Sequence, residues 1–344
     1  MLLWRFCHLI IINKQQIMGI FDKGLHLDPE YQHLEKYVHI MYRGMWTPAK
    51  YEKLIKEVDA PHFFNSIPPL DQEVIKRCIL AINLVENKVK TYWSSLPLDL
   101  PQTIIGDVGG LFAQSEVTHR RSYHALAEML NVDSDDIQNH EALKGRIEYL
   151  TKYIETDPKI IGKKRVLKKL VLFTSLVERC SLFTQFYILM SYAYNNRGLK
   201  AISALQESTA LEEDVHYSFG IDVINIIKRQ YPQMWDEYLV ELITDNIQIA
   251  YQSELNLIDW FFENGMPEHL TKDEVVNFLN YNFNVVCKDL KIDLEFEVQA
   301  DLFNMKNSWF KTKVFMTTEP DFFDNAVSGY ASDDEQVDTD NFNF

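Results

Sequence analysis

Glu116-Val117-Thr118-His119-Arg120-Arg121-Ser122-Tyr123 is the stretch that decides how this chain reads. On a helix, Glu116 and His119 lie one turn apart on one face, and Tyr123 lies one turn further along. Phe112, Leu126 and Leu130 continue that face in steps of three and four. A carboxylate, an imidazole and a phenol thus stand where an ordinary helix carries core leucines. Burying such groups without partners costs several kcal/mol, so they require a compensating species. A metal ion fits, provided other helices supply further ligands.

Three other segments supply them. After Pro68-Pro69, a helix is expected from Asp71 to about Ser94. Its apolar stripe of Ile75, Ile79, Ile82, Val89 and Trp93 is interrupted by Glu86. Pro97–Pro101 then separates it from the helix of the opening motif, about Gln102–Leu130. A polar turn and a helix near His140–Ile154 lead to one long helix over about Gly162–Asn195. There Leu167, Val171, Leu182, Phe186 and Leu189 face inward with one lone carboxylate, Glu178. Asn195-Asn196-Arg197-Gly198 breaks that helix. The next, about Leu199–Gln230, turns Leu205, Thr209, Glu213, His216, Val223 and Ile227 inward. Two further amphipathic helices follow, near Pro232–Glu263 and Thr271–Leu290, and two precede, near Pro29–Met41 and Pro48–Val58.

A single Glu-x-x-His means little, and the chain contains a decoy in Glu30-Tyr31-Gln32-His33, which reads as ordinary surface. The four core carboxylate helices are another matter, because they repeat one pattern: Glu, ExxH, Glu, ExxH. This is the ligand set of ferritin-like dinuclear carboxylate proteins. Four carboxylates balance two divalent cations, and oxygen-rich ligands with some imidazole suit iron or manganese better than zinc. The expected fold is an all-α, ferritin-like helical bundle over residues 18–315 with a dinuclear metal site in its core.

Composition agrees. At 47% apolar residues, with only 12 Gly and 11 Pro in 344, the chain favours long helices over a loop-rich β architecture. The net charge of −16 is uneven: from Glu319 onward there are eight acidic residues and no Lys or Arg, which is half of it. No basic stretch suits a phosphate backbone, so nucleic-acid binding is disfavoured. Residues 316–344 are expected to be a flexible acidic tail. Cys7, Cys78, Cys180 and Cys287 are far apart, as a reducing cytoplasm would have them. No uncharged run reaches the ~20 residues that span a bilayer. Met18-Gly19-Ile20-Phe21-Asp22 reads like a natural start, so residues 1–17 are expected to be an upstream extension.

At these residues the chain resembles the small, radical-generating subunit of class I ribonucleotide reductase, from about Met18 to Phe344. The opening stretch looks like the family's Glu-x-x-His-x-x-x-Tyr signature, whose tyrosine becomes a stable radical. The resemblance implies metal ligands at Glu86, Glu116, His119, Glu178, Glu213 and His216, with the radical on Tyr123. The metals it implies are two irons, with Mn/Mn or Mn/Fe as alternatives. Trp46, before Thr47-Pro48, resembles the tryptophan of the radical-transfer route. Glu212 stands where many members have Asp, a carboxylate one methylene longer. Tyr330 resembles the tail tyrosine that passes the radical between subunits. The ending Val337–Phe344 resembles the acidic, Phe-terminated peptide that docks on the large subunit. A homodimer and O2 as co-substrate are implied likewise. Two other classes compete. A ferritin-like oxygenase or oxidase acting on a small molecule would use the same six ligands, but needs a substrate pocket and has no reason for Trp46, Tyr330 or the tail. A ferritin-like iron store or a purely structural bundle would tolerate loss of Tyr123.

Overall fold

The computed structural model describes residues 19–24, 27–89, 91–132 and 140–315. The expected extension at 1–17, the tail 316–344 and Tyr330 within it lie outside the described residues. The described residues form helices and turns, with no strand beyond an isolated bridge from Asp157 to Ile160. No helix among them is long and apolar enough to cross a membrane.

A 3-10 turn, Pro29–Leu34, leads into α1 (Glu35–Gly44). α2 (Ala49–Leu54) and α3 (Ala60–Ser66) are joined by a π turn at Ile55–Asp59. Then come α4 (Pro69–Val89), α5 (Tyr92–Asp99), α6 (Thr103–Met129), α7 (Glu141–Leu150), α8 (Gly162–Leu172), α9 (Phe183–Tyr194) and α10 (Lys200–Gln230). α11 (Glu237–Phe261) and α12 (Lys272–Leu290) follow, and α13 (Ala300–Leu302) and α14 (Ser308–Val314) close the described chain. The starts obey local chemistry. Asp236 accepts from Leu239 N at 3.0 Å to cap α11, and Thr271 accepts from Glu274 N to cap α12.

The bundle that matters pairs α4 with α6, and α10 with both α9 and the segment before it, while α6 also touches α10. The expected faces hold. Glu116, His119 and Tyr123 are fully buried on α6, and Val117 on the opposite face is 42% exposed. On α10, Leu205, Thr209, Glu213, His216, Val223 and Ile227 are all buried.

Two expected helices are not continuous. The helix from Asp71 does not reach Ser94: it ends at Val89, and Trp93 belongs to α5, which also contains Pro97 rather than stopping before it. A continued helix would carry Trp93 ~10 Å past Glu86 along the axis. The break instead folds α5 onto α6, where Gly109 permits the approach: a Cβ there would meet the Trp93 carbonyl oxygen at 2.6 Å. The other expected long helix is in three pieces, α8, a π-helical segment at Phe173–Cys180, and α9. The wider π turn buries all eight of its residues, Glu178 among them.

Candidate metal centre

Four segments deliver the six expected ligands to one place. Glu86 comes from α4, Glu116 and His119 from α6, Glu178 from the π segment, and Glu213 and His216 from α10. One ligand atom each from Glu116, Glu178, Glu213 and His216 lies within 4.8 Å of the others, and the same holds for Glu86, His119 and Glu213. Glu213 belongs to both groups, so it sits where a bridge between two ions would.

The imidazoles are oriented by what lies behind them. His216 Nε2 is 3.0 Å from Ser115 Oγ, whose own hydrogen is committed to the Phe112 carbonyl at 2.8 Å. Ser115 must therefore accept, which puts a His216 proton on Nε2 and turns Nδ1 inward as the nitrogen that would ligate once deprotonated. That Nδ1 lies 3.1 Å from Glu213 Oε2, 3.3 Å from Glu116 Oε1 and 3.5 Å from Glu178 Oε2. His119 repeats the arrangement: Nε2 meets Glu212 Oε2 at 2.6 Å, and Nδ1 points inward, 3.0 Å from Glu213 Oε1 and 3.9 Å from Glu86 Oε1.

The buried atoms left over test whether metal fits. Both oxygens of Glu86, both of Glu116 and Nδ1 of His119 have no hydrogen-bond partner. His119 Nδ1 approaches Glu213 closely, yet without hydrogen-bonding geometry, as two ligands converging on a third atom would. Five orphaned polar atoms in one dry core are costly, and two divalent cations would satisfy them while cancelling four carboxylate charges. The donor set fits a dinuclear site.

The protein around the ligands reinforces this. Burial pushes the Glu86 and Glu178 carboxyls well above the usual range, and raises Glu116 as well. Glu213 goes the other way: burial opposes its charge, but His216 first, then Glu178 and His119 close beside it, hold it ionised. Burial likewise works against charge on His119 and His216, yet the surrounding carboxylates raise both well above 6.5. The metal-free cluster thus holds protons at neutral pH that metal must expel. Mn2+ affinity should accordingly rise with pH through the neutral range. Calorimetric titration in two buffers of different ionisation enthalpy should show net proton release, and absence of release would contradict the protonation pattern.

The remaining expected residues are also placed. Trp46 Nε1 donates to Glu212 Oε2 at 3.0 Å, the oxygen that receives the His119 Nε2 proton, so a single carboxylate oxygen joins the two rings. Their planes are 25° apart with centroids at 6.0 Å. Tyr123 is fully buried, and its hydroxyl donates to Gln206 Oε1 at 2.7 Å. Burial first, with the Glu86 and Glu213 charges adding and a Thr209 hydrogen bond opposing, holds its phenol well above its ordinary pKa, hence neutral. Leu126, Leu182 and Phe186 lie in the same buried core, while Phe112 packs on His216 and Trp93. The decoy stays apart: Glu30 pairs with Arg229 near the surface.

Three neighbours were missed. Trp93, read as an apolar stripe residue, donates Nε1 to Glu178 Oε1 at 2.8 Å; a tryptophan expected to be buried needs such a partner, which was the available signal. Ser115 precedes Glu116, and Gln206 sits one turn before Thr209 on the inward face of α10. Nothing in their spacing marks either.

A family model described as ribonucleotide reductase, small chain, matches residues 26–303. The chain belongs to the ribonucleotide reductase small-chain family. It is 22% identical over 232 residues, 63% of its length, to a ribonucleoside-diphosphate reductase subunit beta from Chlamydia pneumoniae, and spans 64% of that relative's length. A putative class I ribonucleotide reductase from Bacillus halodurans has the same fold (TM-score 0.70, 14% identity, 82% of this chain and 99% of that one). So does an R2-like ligand-binding oxidase with a reconstituted Mn/Fe cofactor (TM-score 0.61, 14% identity, 76% and 94%). The small-chain fold therefore spans reductases and at least one oxidase, and fold alone does not choose between them.

Proposed function

We propose that this chain is the radical-generating small subunit of a ribonucleoside-diphosphate reductase, storing a tyrosyl radical on Tyr123. The observation that carries this reading is the His119–Glu212–Trp46 chain of hydrogen bonds, which leads away from the ligand cluster. An oxidase acting on a small molecule in its own core has no use for such an exit.

Glu86, Glu116, His119, Glu178, Glu213 and His216 hold two metal ions, two irons by preference with Mn/Fe and Mn/Mn as alternatives. When bound, the pair supplies redox chemistry with O2 that leaves a one-electron oxidising equivalent in the core. Tyr123 gives up one electron together with its hydroxyl proton to that oxidising equivalent, leaving a neutral radical. Beforehand Gln206 fixes the hydroxyl in a hydrogen bond, and the dry surround keeps water and reductants from the radical. Glu212 accepts hydrogen bonds from both rings, so His119 and Trp46 stay aligned for transfer outward. Tyr330 then passes the radical to the large subunit, on which the acidic tail docks. Ordering the tail makes that docking modest in affinity and reversible. The small subunit itself acts as a homodimer in the cytoplasm.

Loading the chain with Fe2+ or Mn2+ and exposing it to O2 should give a tyrosyl EPR signal. Tyr123→Phe should erase it at unchanged metal content. No such signal under any metal loading would sink the reading. Deleting Val337–Phe344 should abolish association with the large subunit in sedimentation while the radical persists; retained association would remove the tail from the account.

A further inference from the structure

Two charged residues adjoin the ligand cluster without belonging to it. Arg179 directly follows Glu178, and Asp214 directly follows Glu213. Arg179 Nη1 donates to Asp214 Oδ1 at 2.5 Å, and the arginine side chain is only 3% exposed. Its Nε has no hydrogen-bond partner. The guanidinium is instead covered by rings: Phe315 at 3.8 Å, Phe183 at 4.8 Å and Tyr217 at 5.3 Å from the centroids. A guanidinium this deep is costly without a carboxylate partner, so the ion pair firmly ties the π segment to α10.

That tie lies immediately behind two ligands of the four-ligand group, each one peptide unit from a member of the pair. Adjacent Cα atoms are about 3.8 Å apart on a stiff backbone, so a shift of the clamp moves Glu178 relative to Glu213. The π turn makes the clamp possible, since it buries Glu178 and Arg179 together. Phe315, the ring nearest the guanidinium, is also the last described residue before the acidic segment 316–344.

We propose that Arg179 is a positioning residue for the metal centre: through Asp214 it sets the Glu178–Glu213 spacing, and through Phe315 it couples that spacing to the root of the C-terminal segment. The inference rests on the cluster holding metal, and not on the radical chemistry.

The test is anaerobic Mn2+ binding to the full chain, read as affinity and as the EPR line shape of the bound ions. Arg179→Met should weaken binding by about 10- to 100-fold and alter the line shape. Arg179→Met with Asp214→Leu should lose no more than the single variant, because both remove one clamp. Phe315→Ala, at the edge of the fold, should shift affinity in the same direction by about 2- to 30-fold. A purely structural pair would lower the melting temperature of the metal-free chain and leave affinity and line shape alone. Wild-type affinity and line shape in Arg179→Met would overturn the proposal, and if that variant does not fold, wild-type affinity in Phe315→Ala overturns it. Neither O2 nor the large subunit enters the measurement. A missing tyrosyl signal therefore leaves this inference standing, and an unchanged Mn2+ affinity leaves the functional reading standing.

Discussion

Glu213→Ala should cost the chain both metal ions, where Glu86→Ala should cost it one. Glu213 is the residue common to the two ligand groups: Oε1 faces His119 Nδ1 at 3.0 Å and Oε2 faces His216 Nδ1 at 3.1 Å. It is also the cluster's carboxylate whose charge the site itself protects, since His216, Glu178 and His119 around it outweigh the burial that would protonate it. Losing a partner that merely orients a ligand lowers metal affinity about 10- to 100-fold, so losing a shared ligand should exceed about 100-fold at each position. Elemental analysis after dialysis should give near-zero metal for Glu213→Ala and close to one ion for Glu86→Ala. The four-ligand group is complete without Glu86. One tightly held ion in Glu213→Ala would refute the bridging position.

The six clustered residues were legible before the structure because the 3.6-residue helical period decides which way each faces. Glu116, His119, Glu213 and His216 needed only that period. Glu86 and Glu178 needed the further rule that a carboxylate amid apolar neighbours demands a reason. What stayed hidden depends on where segments end and what they meet. The break after Val89 has no Gly or Pro to announce it, and the π turn at Phe173–Cys180 uses ordinary helix formers. A period of 3.6 run through such a segment misplaces its neighbours, which is how Arg179 escaped notice. Trp93 escaped because it was assigned to the wrong helix. The link through Glu212 came from resemblance, and the longer side chain still spans from His119 to Trp46. Buried ion pairs were invisible for a simpler reason: charged residues on helices usually face water.

One such pair should weigh heavily on stability. Arg146 and Glu254 are both essentially unexposed. Arg146 Nε donates to Glu254 Oε1 at 2.9 Å, Nη2 donates to Oε2, and Nη1 donates to the Ala81 carbonyl at 3.1 Å. Tyr149 OH donates to Glu254 Oε1 at 2.6 Å. One carboxylate thus binds α7 to α11, and the same arginine fastens α7 to α4. Glu254→Ala leaves a guanidinium buried without its counter-charge and a phenol without its acceptor, and should cost about 3–5 kcal/mol, on the order of 10 °C in Tm. Replacing the pair together, Arg146→Met with Glu254→Leu, should recover most of that loss, because the cost of the single variant is the stranded charge and not the missing attraction. Thermal melts of the metal-free chain distinguish the two, and a single variant losing under about 1 kcal/mol would mean that water reaches the pair. The anchor on α4 is at Ala81, more than a turn before Glu86, so Glu254→Ala held below its Tm should still bind two ions. The clamp behind Glu178 and Glu213 behaves oppositely, changing metal affinity before stability, and the contrast separates an ion pair that holds the bundle from one that holds the site.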